Sequence, residues 1–200
     1  MKTSRSLFSK EFHKHPLFFI SLSLLLVSVG IFLLWISTFK LPDLSSFEQR
    51  KVSESTKIYD RTGKILLYDV FQGTKRTVIP FGDISRNIKN ATVAIEDDQF
   101  YEHNGIRPLS FLRAVLANLV TGSYGQGGST ITQQVVKNAL LTKDKQISRK
   151  LKEWVLALKL ERVVSKDEIL GIYLNETSYG GSMYGVEEAS SQFFGVSAKD

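Results

Sequence analysis

The 200-residue sequence contains no cysteine. No disulfide can therefore brace the fold, and no thiolate can act as nucleophile or metal ligand. An oxidising compartment is open to such a chain. Histidine is scarce as well, and His13, His15 and His103 are too scattered to make a metal site. There is no internal repeat, no low-complexity tract and no phosphate loop ending in G-K-[ST]. Charge is missing from one place in particular. From Leu17 to Phe39 the chain reads LFFISLSLLLVSVGIFLLWISTF, without a single Asp, Glu, Lys or Arg.

At about 1.5 Å per residue, a helix of that length crosses a hydrocarbon core of about 30 Å. Trp35 near one end suits the membrane interface. Lys2, Arg5, Lys10 and Lys14 precede the run against a lone Glu11, which assigns that end to the cytoplasm. The run is longer than a usual signal-peptide core, and no A-x-A-like cleavage site follows it. The expected organisation is a cytoplasmic basic tail (1–16), a single-pass signal anchor in the cell membrane (17–39) and a polar stalk containing Pro42 (40–56). A domain outside the cytoplasm follows (57–200), large enough for a core without staples.

A formal net charge of +6 and a pI near 9.4 fit anionic partners, whether nucleic acid, anionic lipid or a phosphate-bearing substrate. Within the outer domain, IYD and ILLYDV flank Arg61-Thr62-Gly63-Lys64 and predict a β-hairpin. From Ile84 the pattern turns helical. Ile88, Ala91, Ile95 and Phe100 fall near helical spacing, as do Leu109, Leu112, Leu116 and Leu119. After the glycine-rich stretch TGSYGQGGS, Ser129 or Thr130 is positioned to cap a helix running to Leu140. Further helices are expected over Ile147–Val164 and Lys166–Leu174. Leu109–Val120 is unusually apolar, and core packing is its default reading. The alternative is a helix dipping into the outer leaflet with Arg113 at the headgroups.

Four clusters could carry chemistry. In Glu96-Asp97-Asp98-Gln99-Phe100-Tyr101-Glu102-His103, a continuous helix would put Glu96, Phe100 and His103 on one face. A carboxylate beside an aromatic and among other acids suits general acid or base work, although a solvated acidic helix end is the plainer explanation. The second cluster, Gly127 to Asn138, puts a hydroxyl (Thr130), an amide (Gln134) and a cation (Lys137) on one helix face behind flexible glycines. Such a set fits an oxygen-rich anion. The third is Arg149-Lys150-Leu151-Lys152-Glu153. It is either a surface i,i+4 pair worth about 0.3–0.5 kcal/mol or a phosphate-neutralising group with Glu153 orienting substrate or metal. In the fourth, Lys166 to Asn175, the residues Ile169, Leu170 and Tyr173 read as core and Asn175 as the helix end.

In this order the clusters resemble the peptidoglycan glycosyltransferase family, as found in class A penicillin-binding proteins and monofunctional transglycosylases. E-D-x-x-F-x-x-H-x-G is met by Glu96, Asp97, Phe100, His103 and Gly105. G-x-S-T-I-T-Q-Q is met by Gly127–Gln134, R-K-x-x-E by Arg149, Lys150 and Glu153, and I-L-x-x-Y-L-N by Ile169–Asn175. Two positions depart from the pattern. Arg107 stands where an acidic residue is frequent, and Val196 where a lysine is usual. The resemblance runs from Ile58 to Asp200, which falls within the family's last region, so the domain is expected to be incomplete at its C-terminus.

The resemblance implies a mainly α, lysozyme-like fold with a small β-hairpin element, and polymerisation of lipid II into glycan strands with inversion. It implies Glu96 and Glu153 as catalytic residues. Asp97, Phe100, His103, Thr130, Gln133, Gln134, Lys137, Arg149, Lys150 and Asn175 are implied as substrate-binding. A divalent cation such as Mg2+ near Glu153 is a further expectation, with no organic cofactor. Expected partners are lipid II, the growing glycan, the membrane and other cell-wall synthesis proteins, and not nucleic acid. The residues agree with that chemistry. One candidate base faces a cation-rich set, and a diphosphate leaves once its charge is neutralised, whereas a sugar leaving group needs a protonating acid. A lytic muramidase and a catalytically inactive cell-wall scaffold are the competing readings. A substrate embedded in the outer leaflet also favours the membrane-dipping reading of Leu109–Val120.

Overall fold

The computed structural model describes residues 16–38, 53–71, 73–122, 127–141 and 147–200. The expected basic tail, most of the stalk and residues 123–126 of the glycine-rich stretch lie outside the described residues. The chain divides into two compact units, Met1–Leu41 and Pro42–Asp200.

The described residues of the first unit form α1 (Pro16–Ser37), whose side chains are almost all exposed. Its 22 residues are enough, at about 1.5 Å each, to cross a bilayer core. Its serines do not interrupt it. Ser21 donates to the Phe18 carbonyl and Ser28 to the Leu24 carbonyl, so each hydroxyl is satisfied within the helix. This helix fits a membrane anchor.

The second unit opens with the expected hairpin, β1 (Thr56–Tyr59) antiparallel to β2 (Leu66–Val70), with a register shift after Ile58. Asp60 builds the turn. Its carboxylate accepts from the Lys64 and Ile65 amides and from the Thr62 hydroxyl. A second, unforeseen sheet joins distant segments. The short strand β3 (Lys75–Arg76) runs parallel to β5 (Met183–Tyr184), which pairs antiparallel with β4 (Ser178–Gly180).

The remaining helices are α2 (Arg86–Glu96), α3 (Pro108–Thr121), α4 (Ile131–Leu140), α5 (Ile147–Leu160), α6 (Lys166–Glu176) and α7 (Val186–Phe194). The unit is thus mainly α with two small β elements. Local chemistry sets the helix starts. Ser85 accepts from the Asn87 amide, Pro108 occupies the first turn of α3, and Thr130–Gln133 and Ser165–Glu168 form reciprocal capping boxes. The core lies where α4 packs on α5 and α6. Ile131, Val136, Leu156, Leu160, Ile169, Leu170 and Leu174 are fully buried there, each side chain worth about 1.5–3 kcal/mol.

Three expectations are corrected. Helix α2 stops at Glu96, because Asp97 leaves helical geometry at φ −161° and turns carry the chain to Gly105. Glu96, Phe100 and His103 therefore share no helical face. Asn175 does not end its helix; α6 continues to Glu176 and Thr177 closes it. Lastly, α3 is not a core helix. Among its residues only Ala114 is buried, while Leu109, Leu119 and Val120 are more than 70% exposed.

Candidate active site

Glu96 is the last residue of α2, and its carboxylate is exposed. Thr130 caps α4 so that Gln134, one turn in, faces that end. Gln134 Nε2 donates to Glu96 Oε2 at 2.9 Å. From α6 the Tyr173 phenol approaches the same carboxylate. Burial raises its pKa above the ordinary tyrosine value, and the charge of Glu96 and a hydrogen bond to it act in the same direction. Tyr179 is pushed up to about 12 by burial, with smaller contributions from Tyr173 and Glu96.

Glu96 stands between two cavities. One, of about 580 Å³, is walled mainly by apolar groups, among them Ile88 and Ile95 of α2, Tyr173 of α6, Tyr179 of β4, and Val186 and Phe193 of α7. The other, of about 230 Å³, is polar. Asp97, Asp98, Arg107, Ser110, Arg113 and Ser129 line it, together with the backbone around Gly127 and Gly128. At Gly128 the chain passes so close to α3 that a Cβ would lie 3.0 Å from the Phe111 Cα. That glycine admits a helix rather than a ligand.

Buried Asp97 ties the polar cavity together. One of its oxygens accepts from the Ile131 amide at 3.1 Å and from His103 Nε2 at 2.8 Å. The Gly105 amide donates to His103 Nδ1, which leaves Nε2 as the donor to Asp97. Gly105 itself has φ +90°, and a Cβ there would sit 2.8 Å from the Ala157 carbonyl oxygen. Behind the cavity, Glu153 is 2% exposed and pairs with Arg149 Nε at 3.3 Å and Lys150 Nζ at 2.9 Å. Lys150 also donates to Ser129 Oγ at 2.6 Å, linking this cluster to the cavity wall.

Residues 64–200 match the family model described as transglycosylase. Penicillin-binding protein 1A of Clostridium tetani is 44% identical over 152 residues, covering 74% of this chain and 19% of that protein. Penicillin-binding protein 1A of Aquifex aeolicus is 39% identical over 168 residues, covering 84% and 23%. Penicillin-binding protein 1A/1B of Bacillus subtilis is 43% identical over 156 residues, covering 77% and 17%. The chain belongs to the transglycosylase family. It spans about a fifth of the length of these curated relatives.

The expected site residues fall into three sets. Glu96, Asp97, His103, Thr130 and Gln134 are brought together around the end of α2, with Arg149, Lys150 and Glu153 joined to them through Ser129. Lys137 is exposed one turn beyond Gln134. Phe100, Gln133 and Asn175 face inward instead. Phe100 is fully buried under Lys166, and Gln133 completes the α4 capping box. Asn175 bonds the Ile79 backbone. These three shape the site without presenting a group to it.

Glu153 is not half of a surface pair. Both its oxygens are engaged by cations, and among the described residues no three His, Cys, Asp or Glu side chains gather as a metal site. This donor set does not fit a divalent ion, which would have to displace Lys150 or Arg149. The spacing of Tyr173 predicts a core residue alone, yet its hydroxyl end reaches Glu96. Arg107 and Arg113 line the polar cavity. A signal for them existed: Arg107, Ser110 and Arg113 recur at i, i+3 and i+6, a polar stripe on an otherwise apolar helix.

Proposed function

We propose that this chain polymerises lipid II into β-1,4 glycan strands, with Glu96 as general base. Glu96 takes the proton from the acceptor sugar 4-hydroxyl. That oxygen attacks the donor anomeric carbon from the face opposite the leaving group. The C1–O4 bond forms, the C1–O bond to the diphosphate breaks, and the configuration inverts. Lys137 and Arg149 stabilise the departing undecaprenyl diphosphate, with Lys150 and Arg113 adding positive potential. No step runs through a metal.

The observation that carries this reading is the state of the acids around Glu96. Asp97, Asp98 and Glu153 are all engaged with arginine, lysine or histidine, so none of these three acids is a free partner carboxyl that could serve Glu96 as proton donor. Hydrolysis of a glycoside needs such a donor; departure of a charge-neutralised diphosphate does not. The exposed apolar face of α3 supports contact with the outer leaflet, from which a polyprenyl substrate would be drawn.

The test is to incubate detergent-solubilised protein with labelled lipid II, and separately with preformed glycan, and to resolve the products on a gel. Polymer from lipid II alone is the expected result. Sugar release from preformed glycan without polymerisation would establish a muramidase instead, and no product from either would leave a scaffold.

A further inference from the structure

Arg107 is the residue just before α3, and its side chain is 17% exposed. One nitrogen, Nη1, donates to Asp97 Oδ1 at 3.3 Å and to Asp98 Oδ1 at 2.5 Å. The other Asp97 oxygen accepts from the Ile131 amide, the first residue of α4, and from His103. A chain of contacts therefore runs from Arg107 through Asp97 to the start of α4. One turn further along α4, Gln134 holds Glu96 at 2.9 Å.

We propose that Arg107 is a positioning residue for Glu96. It fixes the plane of the Asp97 carboxylate, and through it the register of α4 against the end of α2. With its oxygens held from two sides, Asp97 cannot rotate away from the Ile131 amide. The Gln134 amide then stays in line with Glu96. Arg107 also removes one negative charge from a cavity that Glu96, Asp97 and Asp98 would otherwise make strongly acidic, a poor surround for an anionic donor. Both partners register the pairing. Burial pulls the Arg107 guanidinium down, yet Asp98 and Asp97 raise it overall, and the Arg107 hydrogen bond lowers Asp98.

The kinetic part of this inference rests on the glycosyltransferase reading; the geometric part does not. Two measurements on full-length Arg107→Gln and Arg107→Lys keep them apart. The first is the NMR shift of the Gln134 side-chain amide, assigned with Gln134→Ala. It is expected to move in Arg107→Gln and to stay near wild type in Arg107→Lys, because one ammonium can supply both bonds that Nη1 makes. The second is lipid II polymerisation. Arg107→Gln should lower kcat about tenfold with KM within about twofold, Arg107→Lys should recover most of that loss, and Arg107→Gln should cost little more in a Gln134→Ala background.

An unmoved Gln134 amide in Arg107→Gln overturns the proposal, as does a multiplicative loss in the double variant. A raised KM at unchanged kcat also overturns it, since Arg107 would then contact substrate directly. If wild type makes no glycan while the amide moves as expected, the glycosyltransferase reading fails and the positioning role stands.

Discussion

The side-chain amide of Gln134 reaches from the second turn of α4 to Glu96 at the end of α2, closing a 2.9 Å hydrogen bond between two segments 38 residues apart. This bond orients the carboxylate without covering it. Hydrogen bonds to charged groups contribute about 1.5–3 kcal/mol, and about 1.4 kcal/mol is tenfold in rate. If that orientation is needed in the transition state, Gln134→Ala should lower kcat about tenfold or more, with a loss of folding stability no larger than about the worth of that one exposed bond. Polymerisation assays at saturating lipid II, alongside melting curves, check this.

Asn175 makes a different kind of join. Its Oδ1 accepts from the Ile79 amide and its Nδ2 donates to the Ile79 carbonyl, each at 3.0 Å, as a neighbouring strand would. The same Nδ2 also donates to the Gly171 carbonyl. Asn175→Ala leaves both Ile79 backbone groups without partners in a part-buried setting, a cost of about 2–4 kcal/mol. Denaturant unfolding should show that loss, and Asn175→Asp, which keeps the acceptor alone, should fall between.

Gly105 and Gly185 are held by backbone geometry. Gly185 has φ +83°, and a Cβ there would lie 2.7 Å from the Asn175 carbonyl oxygen. Both Gly→Ala variants should destabilise by more than about 2 kcal/mol, since neither strain nor clash can relax through a side chain. Gly63→Ala, at φ +71° with open space around it, should cost less. Melting temperatures of the three variants give the ranking.

Glu188 on α7 anchors the hairpin. Lys57 pairs with it at 2.6 Å, and the Thr77 hydroxyl donates to the same oxygen. Burial pushes the Glu188 carboxyl up, but Lys57 and Thr77 outweigh it, so the net shift is below the ordinary 4.5. A depressed carboxylate stabilises the fold above its unfolded value, and that contribution disappears as pH falls through the folded one. Glu188→Gln should accordingly be less stable than wild type at pH 7, and the gap should narrow towards pH 3. Melting temperatures across that range measure it.

Local pattern accounts for what the sequence made legible. The Arg61–Lys64 turn marked the hairpin, the Ser129-Thr130 pair marked the start of α4 with Thr130 the one that caps it, and the apolar periodicity after Ile147 marked α5. The missed features depend on distant partners. The chain breaks from helix at Asp97, whose partner Ile131 lies 34 residues on, so α2 looked longer than it is. Asn175 read as a helix end and a ligand contact because Ile79, 96 residues away, is invisible to any local window. Tyr173 shows the limit of periodicity. Its spacing correctly put it in the core, but spacing cannot say that the phenol at its tip meets Glu96. The apolar stripe of α3 misled in the opposite sense, since periodicity identifies a face and not what covers it.

The central claim is that Glu96 is the general base at the junction of an apolar and a polar cavity. Its most direct test is single-turnover polymerisation of labelled lipid II by wild type and Glu96→Gln, with lipid II binding measured on the same preparations. The account predicts unchanged binding and a rate lowered by about 10²–10⁴-fold, the range that general base catalysis supplies. A Glu96→Gln protein that elongates glycan at the wild-type rate would contradict it.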